Sequence, residues 1–181
     1  DNSFHAYVSR FYLDGFGLSR DRALLMDCRS IGLRAGESLQ HVWPTGAVDL
    51  SLRYRAPRDG LERLQRETLY RIDQWCQQYE ERIRAWGGIG FFMGGIGPDG
   101  HIGFNVRGSD HHSTTRLTEV NYETQAAAAT DLGGIEVARK RLVITIGLGT
   151  ITGNRQCCAV VLAAGEAKAA IVAQAVRSDP D

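Results

Sequence analysis

The sequence has no net charge and no long apolar run, and each absence excludes a class of protein. Lysine plus arginine and aspartate plus glutamate both total 21 among the 181 residues, so no net field favours nucleic acid or an acidic membrane surface. No apolar run approaches the ~20 residues that a membrane-spanning helix needs. No basic-apolar-small pattern of the signal-peptide type begins the chain. We therefore expect a cytoplasmic protein with neither a nucleic-acid nor a membrane partner.

The four cysteines lack the CxxC spacing of redox and zinc motifs, which favours free thiols in a reducing compartment. Cys157 and Cys158 are adjacent in an apolar stretch that is typical of a buried strand. His101 and the segment 110–112 (DHH) offer metal-ligand chemistry, but adjacent histidines point apart on an extended chain. No further ligand stands at a recognised spacing. We predict no metal site and interpret 110–112 as a polar loop.

Apolar periodicity predicts a protein in which helices and strands alternate. Apolar residues recur at helical spacing over 61–86, and another helix is predicted from the N-cap Ser3 onward. Residues 19–60 stay mostly unassigned, with a short strand predicted at 24–26. Three apolar runs predict strands and two later segments predict helices, the strands at 89–93, 142–146 and 157–163 and the helices at 122–132 and 165–176.

These elements predict an α/β fold, a doubly wound, mainly parallel sheet flanked by helices, of Rossmann-like type. Apolar runs of strand length are typical of strands that are buried on both faces of such a sheet. A hydrophobic fraction of 43% over 181 residues is enough for one domain that buries its own core. Residues 1–181 are therefore predicted to form a single α/β domain.

Nine of the 21 glycines fall between Gly87 and Gly108, and this clustering predicts a ligand-binding turn. The turn follows the strand predicted at 89–93, where α/β proteins bring backbone N–H groups close to a ligand. Asp99 and His101 stand two residues apart within it, so a carboxylate and an imidazole can converge on one substrate atom as general acid and base. The alternative is structural, with an aspartate that caps the turn and a histidine bonded to backbone.

The sequence GGIGPDGHIGFN at 94–105 resembles the glucosamine-6-phosphate isomerase/deaminase family. STTRLT at 113–118 and LVITIGLGT at 142–150 follow in the family order, and the resemblance covers most of 66–176. It implies the deaminase/isomerase type of Rossmann-like fold and an aldose-ketose isomerase and hydrolase. The implied reaction converts glucosamine 6-phosphate into fructose 6-phosphate and ammonia. The resemblance also implies a sugar-phosphate substrate, a homo-oligomer, and no metal or organic cofactor.

By matching position, the resemblance assigns ring opening to His101 as acid/base and makes Asp99 its catalytic carboxylate neighbour. It assigns Lys168 to the sugar phosphate. A lysine in the first turn after a strand also adds positive charge where helix N–H groups favour an anion. Arg116 matches an arginine that binds an effector in some relatives, with a solvated loop arginine as an equal alternative. The other substrate-binding residues that the match implies are Gly95, Gly97, Gly100 and Asn105.

The sequence departs from the family at three places. Val106 stands where deaminases have a glutamate that completes a relay with the histidine, and valine can neither accept a proton nor orient an imidazole. The family's phosphate-binding glycine/threonine turn and the aspartate that takes the C2 proton precede Asp1. The family also continues beyond Asp181. We therefore expect a domain truncated at both ends, with little or no deaminase activity by itself.

Two alternatives remain open at this point. 6-Phosphogluconolactonase shares the fold and a similar GxGxDGH turn but hydrolyses a lactone, whereas Phe104, Asn105 and the TRLT segment at 115–118 resemble the deaminases more. A non-catalytic sugar-phosphate binding module is the second alternative, because a site can keep its phosphate contact while it loses turnover.

Overall fold

A computed structural model describes residues 4–119 and 142–178. The predicted cap at Ser3, the helix predicted at 122–132 and its glycine stop at 133–134 lie outside these ranges. The chain forms two compact units, Asp1–Trp75 and Cys76–Asp181. The single domain expected for residues 1–181 stays a prediction. No helix within the described ranges is long and apolar enough to cross a bilayer.

The first unit begins with short helical segments joined by irregular chain. α1 (Phe4–Val8) continues directly as a π-helical segment, Ser9–Asp14, and confirms the helix expected at the start of the chain. α2 (Leu39–Val42) follows a 3₁₀ turn, Arg20–Arg22, and precedes a second one, Leu50–Arg53. Each segment is too short to be stable alone, so packing against the rest of the unit must stabilise it.

The core of the first unit is apolar and small. Val42, Leu52 and Leu69 have no exposed surface, although they come from three different segments. The strand predicted at 24–26 is wrong, because these residues form a half-buried irregular segment. Three apolar residues in a row suit such a segment as well as a strand, so periodicity does not distinguish the two.

α3 (Gly60–Ala85) is the long amphipathic helix predicted over 61–86. Asp59 caps its start, since the Asp59 carboxylate accepts a hydrogen bond from Glu62 N at 2.8 Å. Gly87 and Gly88 end it with φ angles of 89° and 81°, which glycine adopts at no steric cost. The residues of its buried face recur at three- and four-residue steps, at Leu69, Ile72 and Cys76.

The second unit combines strands, including a parallel pair, with short helices, which confirms the predicted α/β class. Its described elements after α3 are, in chain order, β1 (Phe91–Gly95), β2 (Arg116–Glu119), β3 (Leu142–Thr145), α4 (Leu148–Thr152), β4 (Cys158–Leu162), a 3₁₀ turn (Glu166–Lys168) and α5 (Ala169–Arg177). Three of the strands fall on the predicted runs. α5 confirms the helix predicted within 165–176.

β1 and β4 pair in parallel, with Phe91 opposite Cys158 and Gly95 opposite Leu162, as expected for an α/β sheet. The prediction that such strands are buried on both faces is wrong for this pair. The side chains of Phe91 and Leu162 are 61% and 58% exposed, and Cys158 is exposed as well. Parallel strands are buried where other elements cover both faces of the sheet, and apolar composition alone does not show that cover.

β3 pairs with β2 in the antiparallel direction, with Arg116 opposite Thr145 and Glu119 opposite Leu142. The parallel arrangement expected for the run at 142–146 is therefore wrong. β2 has the sequence RLTE, whose four residues include one apolar side chain and give no clear strand signal. Because strand pairing joins segments distant in sequence, the β3 run alone could not reveal this partner.

Candidate active site

A tight turn follows β1 at its carboxyl end and carries the predicted acid/base pair. Ile96 N donates to Leu162 O at 3.4 Å, which extends the pairing of β1 and β4 by one step. Gly97 N then donates to His101 O at 2.8 Å and closes the turn. Gly100 has a φ angle of 90°, which glycine tolerates without strain. The turn therefore lies where ligands bind in α/β sheets, beyond the carboxyl ends of parallel strands.

Asp99 and His101 contact each other within this turn. The His101 Nδ1 atom lies 2.6 Å from Asp99 Oδ1, and both side chains are about as buried, at 15% and 14% exposure. An ionised carboxylate can only accept a hydrogen bond, so Nδ1 carries a proton when Asp99 is ionised. Nε2 is then the ring nitrogen at which the imidazole gains or loses its proton. The pair thus has the geometry of a general acid/base oriented by a carboxylate.

Gly97 makes room for the imidazole. A Cβ atom added at Gly97 would lie 2.0 Å from His101 Cε1 and 2.1 Å from Nδ1, distances that real Cβ atoms do not reach. The Phe104 ring stacks with His101, with centroids 6.0 Å apart and planes 13° from parallel. The ring orientation of His101 is therefore limited by a glycine, an aromatic ring and the Asp99 hydrogen bond together.

Asn105 connects this turn to the end of β3. Its side-chain Nδ2 donates to Ile102 O at 2.9 Å and to Ile146 O at 2.8 Å, and the residue is only 4% exposed. Its Oδ1 accepts a hydrogen bond from Arg116 Nη1 at 2.9 Å. Because these protein groups occupy both ends of the amide, the contacts favour a positioning role. The substrate contact expected for Asn105 stays a prediction.

Arg116 lies in β2 and is not a solvated loop residue. Besides its bond to Asn105, its guanidinium donates to Thr114 O at 3.3 Å. Burial lowers the pKa of the Arg116 guanidinium, and the charge of Asp110 opposes that effect. Sequence reasoning named Arg116 but offered effector binding or solvation, and neither interpretation contained the contact with Asn105.

Lys168 lies at the end of the 3₁₀ segment that follows β4 and directly precedes α5. A Cβ atom added at Gly100 would lie 3.0 Å from Ile171 Cδ1, so the first part of α5 packs directly on the turn. Lys168 precedes Ile171 by three residues and therefore lies on the same side of this helical region. Within residues 4–119 and 142–178 no carboxylate is within ion-pair distance of Lys168. Lys168 thus carries a charge that no described carboxylate neutralises.

An open groove of about 470 Å³ runs along α5 and includes Lys168. The other residues that line it are Ala163, Gly165, Ala169, Val172, Ala173, Val176 and Arg177. None of the turn residues lines this groove. Lys168 and His101 are therefore related through the contact of Gly100 with Ile171 and not through one enclosed cavity.

Gly95, Val106 and the segment 110–112 were also named from the sequence. They lie in the strand before the turn and in the loop after it. Gly95 is the last residue of β1, and a Cβ atom there would lie 3.9 Å from Leu162 O, an ordinary contact. Val106 O accepts a hydrogen bond from Ser109 N at 2.9 Å, so Val106 begins the loop after Asn105. In that loop Asp110 Oδ1 accepts a hydrogen bond from His112 N at 2.8 Å. No group of three or more metal-ligating side chains occurs in the described part of the chain.

Glu80 was missed by sequence reasoning, although it is a buried carboxylate. It is 5% exposed, and its Oε1 accepts hydrogen bonds from Thr115 and Thr150. The available signal was its spacing, because Glu80 follows the buried Cys76 by four residues and so lies on the same face of α3. A charged residue among solvated neighbours gave no other indication of burial.

The fold and the turn together define a class, an α/β protein with a carboxylate–imidazole pair at the carboxyl end of a parallel strand. No family model matches the chain. The chain is 38% identical over 108 residues to a glucosamine-6-phosphate deaminase of Cronobacter sakazakii, a match that covers 60% of this chain and 40% of that protein. The enzyme of the same name from Yersinia enterocolitica is 38% identical over 98 residues, which cover 54% and 37%.

A solved structure agrees with these relatives. It is described as a monomeric glucosamine-6-phosphate deaminase of the NagB superfamily, and it matches with a TM-score of 0.55 and 28% identity. The match covers 61% of this chain and 44% of that one. These similarities confirm the predicted resemblance to the glucosamine-6-phosphate isomerase/deaminase family and the Rossmann-like α/β fold. The chain spans about 40% of the length of the curated relative from Cronobacter sakazakii.

Proposed function

We propose that this chain is the acid/base and phosphate-binding part of a cytoplasmic glucosamine-6-phosphate isomerase/deaminase. The complete reaction converts glucosamine 6-phosphate and water into fructose 6-phosphate and ammonia. The observation that carries the proposal is the 2.6 Å contact between His101 Nδ1 and Asp99 Oδ1 in a turn that packs on the start of α5, next to Lys168. We further propose one α/β domain, a homo-oligomer, and no metal or organic cofactor.

His101 opens the sugar ring in this proposal. Its Nε2 takes the proton of the anomeric hydroxyl and returns a proton to the ring oxygen, while the bond from C1 to the ring oxygen breaks and the C1 carbonyl forms. Asp99 holds Nδ1–H, which fixes the tautomer and stabilises the imidazolium that forms in between. No residue of this chain is assigned to the later removal of the C2 proton, so slow turnover is expected.

Lys168 holds the sugar phosphate. Its charge has no carboxylate partner among the described residues, and it stands at the N-terminal end of α5, where helix N–H groups also attract an anion. One charge-assisted hydrogen bond of this kind contributes about 1.5–3 kcal/mol to binding. The phosphate contact thereby places the reacting end of the sugar toward the neighbouring turn, which is where His101 lies.

The proposal is tested by substrate profiling of the chain and of its His101→Gln variant. Glutamine keeps a polar side chain but cannot transfer a proton near neutral pH. The chain is expected to form ammonia and fructose 6-phosphate slowly from glucosamine 6-phosphate, and the variant should be at least about 100-fold slower with nearly unchanged binding, since general acid/base catalysis contributes ~10²–10⁴-fold.

Other results of the same experiment would assign a different function to the site. Hydrolysis of 6-phosphogluconolactone without ammonia release from the amino sugar would favour the lactonase alternative. Binding of glucosamine 6-phosphate with no product, and equal effects of H101Q on every readout, would favour a binding module. Turnover at the rate of a complete deaminase would contradict the expectation of a partial site.

A further inference from the structure

Glu80 is a buried carboxylate that has no part in the reaction proposed above. Its Oε1 accepts three hydrogen bonds, from Thr115 N at 2.8 Å, Thr115 Oγ1 at 2.5 Å and Thr150 Oγ1 at 2.6 Å. The two threonines are themselves 4% and 7% exposed. Within the described residues no cation lies within ion-pair distance of Glu80. The carboxylate is thus stabilised by neutral hydrogen-bond donors. Loss of these donors would be costly, because it would leave a buried charge unsatisfied.

The two threonines lie near the residues that bond to the two ends of the Asn105 amide. Thr115 directly precedes Arg116, whose guanidinium donates to Asn105 Oδ1. Thr150 lies in α4, four residues after Ile146, whose carbonyl accepts from Asn105 Nδ2. A single oxygen atom of Glu80 therefore bonds to Thr115, the neighbour of Arg116, and to Thr150, which follows Ile146 by four residues.

Asn105 in turn holds the backbone next to the imidazole. Its Nδ2 donates to Ile102 O, and Ile102 N donates back to Asn105 O at 3.3 Å. Ile102 directly follows His101, whose carbonyl closes the turn with Gly97 N. Asn105 is thus bonded to the residue that directly follows His101.

Close packing gives this connection little freedom. A Cβ atom added at Gly147 would lie 1.9 Å from Ser113 O, and one at Gly149 would lie 2.8 Å from the carbonyl carbon of His112. Gly149 N also donates to Ser113 O at 2.9 Å. The backbone before Thr115 thus rests directly on the first turn of α4. Such contacts transmit a displacement because a packed interior does not deform gradually.

We propose that Glu80 is a positioning residue that fixes the Asp99–His101 turn through Thr115, Thr150 and Asn105. The proposal rests on the function proposed above, since it concerns the same turn. Loss of the Glu80 charge weakens all three hydrogen bonds at once, because charge-assisted bonds are stronger than neutral ones. The hydrogen bonds that hold Asn105 are then weakened, while the buried apolar residues of α3 stay in place.

The test replaces Glu80 by Gln and compares it with the matched variant Glu81→Gln, an exposed carboxylate on the next residue. The side-chain amide protons of Asn105 and the ring signal of His101 are followed by NMR, together with kcat and KM for glucosamine 6-phosphate. E80Q is expected to speed exchange of the Asn105 amide protons and to move the His101 signal. It should lower kcat by about 10- to 100-fold with little change in KM, as a displaced catalytic group does. E81Q should leave all of these unchanged.

A second pair of variants covers the case in which E80Q does not fold. Thr150→Val removes one hydroxyl donor at nearly constant volume, and Thr150→Ser retains it. T150V is expected to show the same changes in weaker form, and T150S should restore the behaviour of the original chain. If E80Q or T150V lowers stability while the Asn105 and His101 signals stay where they were, Glu80 only stabilises the fold and the proposal is overturned.

The NMR readouts keep this proposal separate from the proposed function. Altered Asn105 and His101 signals in E80Q, combined with no turnover by the original chain, would retain the positioning role and reject the catalytic one. If turnover falls in H101Q but not in E80Q, and the Asn105 and His101 signals of E80Q are unchanged, the catalytic role would be retained and the positioning role rejected.

Discussion

The two units of the chain use charge in opposite ways. In the first unit, Arg53, Arg55 and Arg71 all pair with carboxylates, with N–O distances of 2.6–3.0 Å. In the second unit, Lys168 and Arg116 have no carboxylate within ion-pair distance among the described residues. These three arginines thus stabilise the first unit through ion pairs, whereas Arg116 of the second unit donates to neutral partners.

This difference indicates that functional groups are expected in the second unit of the chain. Ion pairs at partly exposed positions are screened by water and salt, so each contributes modestly to stability. The polar groups around Glu80 and Asn105 are buried. Loss of one of them would leave its buried hydrogen-bond partner unsatisfied and would lower stability. Substitutions in the second unit should therefore have larger effects than charge removal in the first.

Replacement of Asn105 by Asp should produce the largest loss of stability. Asp cannot donate, so the carbonyls of Ile102 and Ile146 each lose a buried partner, although Arg116 can still donate to the remaining oxygen. We expect a loss of about 2–4 kcal/mol in the free energy of unfolding, measured by urea titration. Asn154→Asp is the matched control, because Asn154 uses its oxygen to accept from Gln156 N and an aspartate keeps that bond. Equal losses in the two variants would contradict the assigned role of Asn105.

Replacement of Gly97 by Ala should displace the imidazole of His101. The new methyl group would overlap the ring, and a displacement of about 1 Å is expected to lower turnover by roughly 100-fold. Gly90→Ala is the control, because a Cβ atom there meets nothing within 4 Å. The ring signal of His101 should move in G97A and stay in place in G90A. An unmoved signal in a folded G97A variant would show that the ring geometry described here is incorrect.

Replacement of Lys168 by Gln should weaken binding of sugar phosphates. The loss of one charge-assisted contact is expected to raise the Kd for glucosamine 6-phosphate by about 10- to 100-fold, measured by calorimetry. Binding of the unphosphorylated sugar should not change. Arg155→Gln, which removes an exposed cation of the same unit, serves as the control. A similar loss in both variants would indicate a general charge effect and would reject a specific phosphate contact at Lys168.

Removal of Arg55 should have the smallest effect and should depend on pH. Hydrogen bonds from Arg55 lower the pKa of Glu62 to about 2, from an ordinary value of 4.5. Because the folded-state pKa is lowered, this interaction stabilises the fold above pH 4.5 and is lost as the pH falls toward 2. Arg55→Gln should therefore lower the thermal midpoint slightly at pH 6 and not at pH 2.

The control for this prediction is Arg20→Gln, which removes the exposed pair with Asp14. Added salt should reduce the effect of R55Q at pH 6, because partly exposed pairs are screened. A stability difference that persists unchanged at pH 2 would mean that Arg55 acts through packing and not through its charge.

Local patterns predicted the parts of the fold that depend on neighbouring residues. The helical spacing of α3 and the glycines around Asp99 and His101 are signals of this kind, and both were interpreted correctly as helix and turn. The alternation of helix and strand patterns predicted a mainly parallel sheet, and the parallel pair of β1 and β4 agrees with it. Such signals need no knowledge of distant partners.

Contacts between distant segments could not be predicted in the same way. The pairing of β2 with β3 depends on a four-residue segment with little apolar content, and the burial of Glu80 depends on threonines 35 and 70 residues away in sequence. The exposure of β1 and β4 likewise depends on what covers them, which composition does not encode. Nonlocal packing thus decided these three features, which the sequence pattern did not predict.

If His101 and Lys168 serve one sugar-phosphate site, both side chains should respond to the same ligand, and selective isotope labelling can measure this. The chain has five histidines and two lysines, so ¹³C-labelled histidine and lysine give few signals, and Lys140→Arg assigns the lysines. Titration with glucosamine 6-phosphate is predicted to shift the His101 and Lys168 signals with the same Kd. A Lys168 signal that saturates while the His101 signal stays unchanged would show that the two residues do not serve one site.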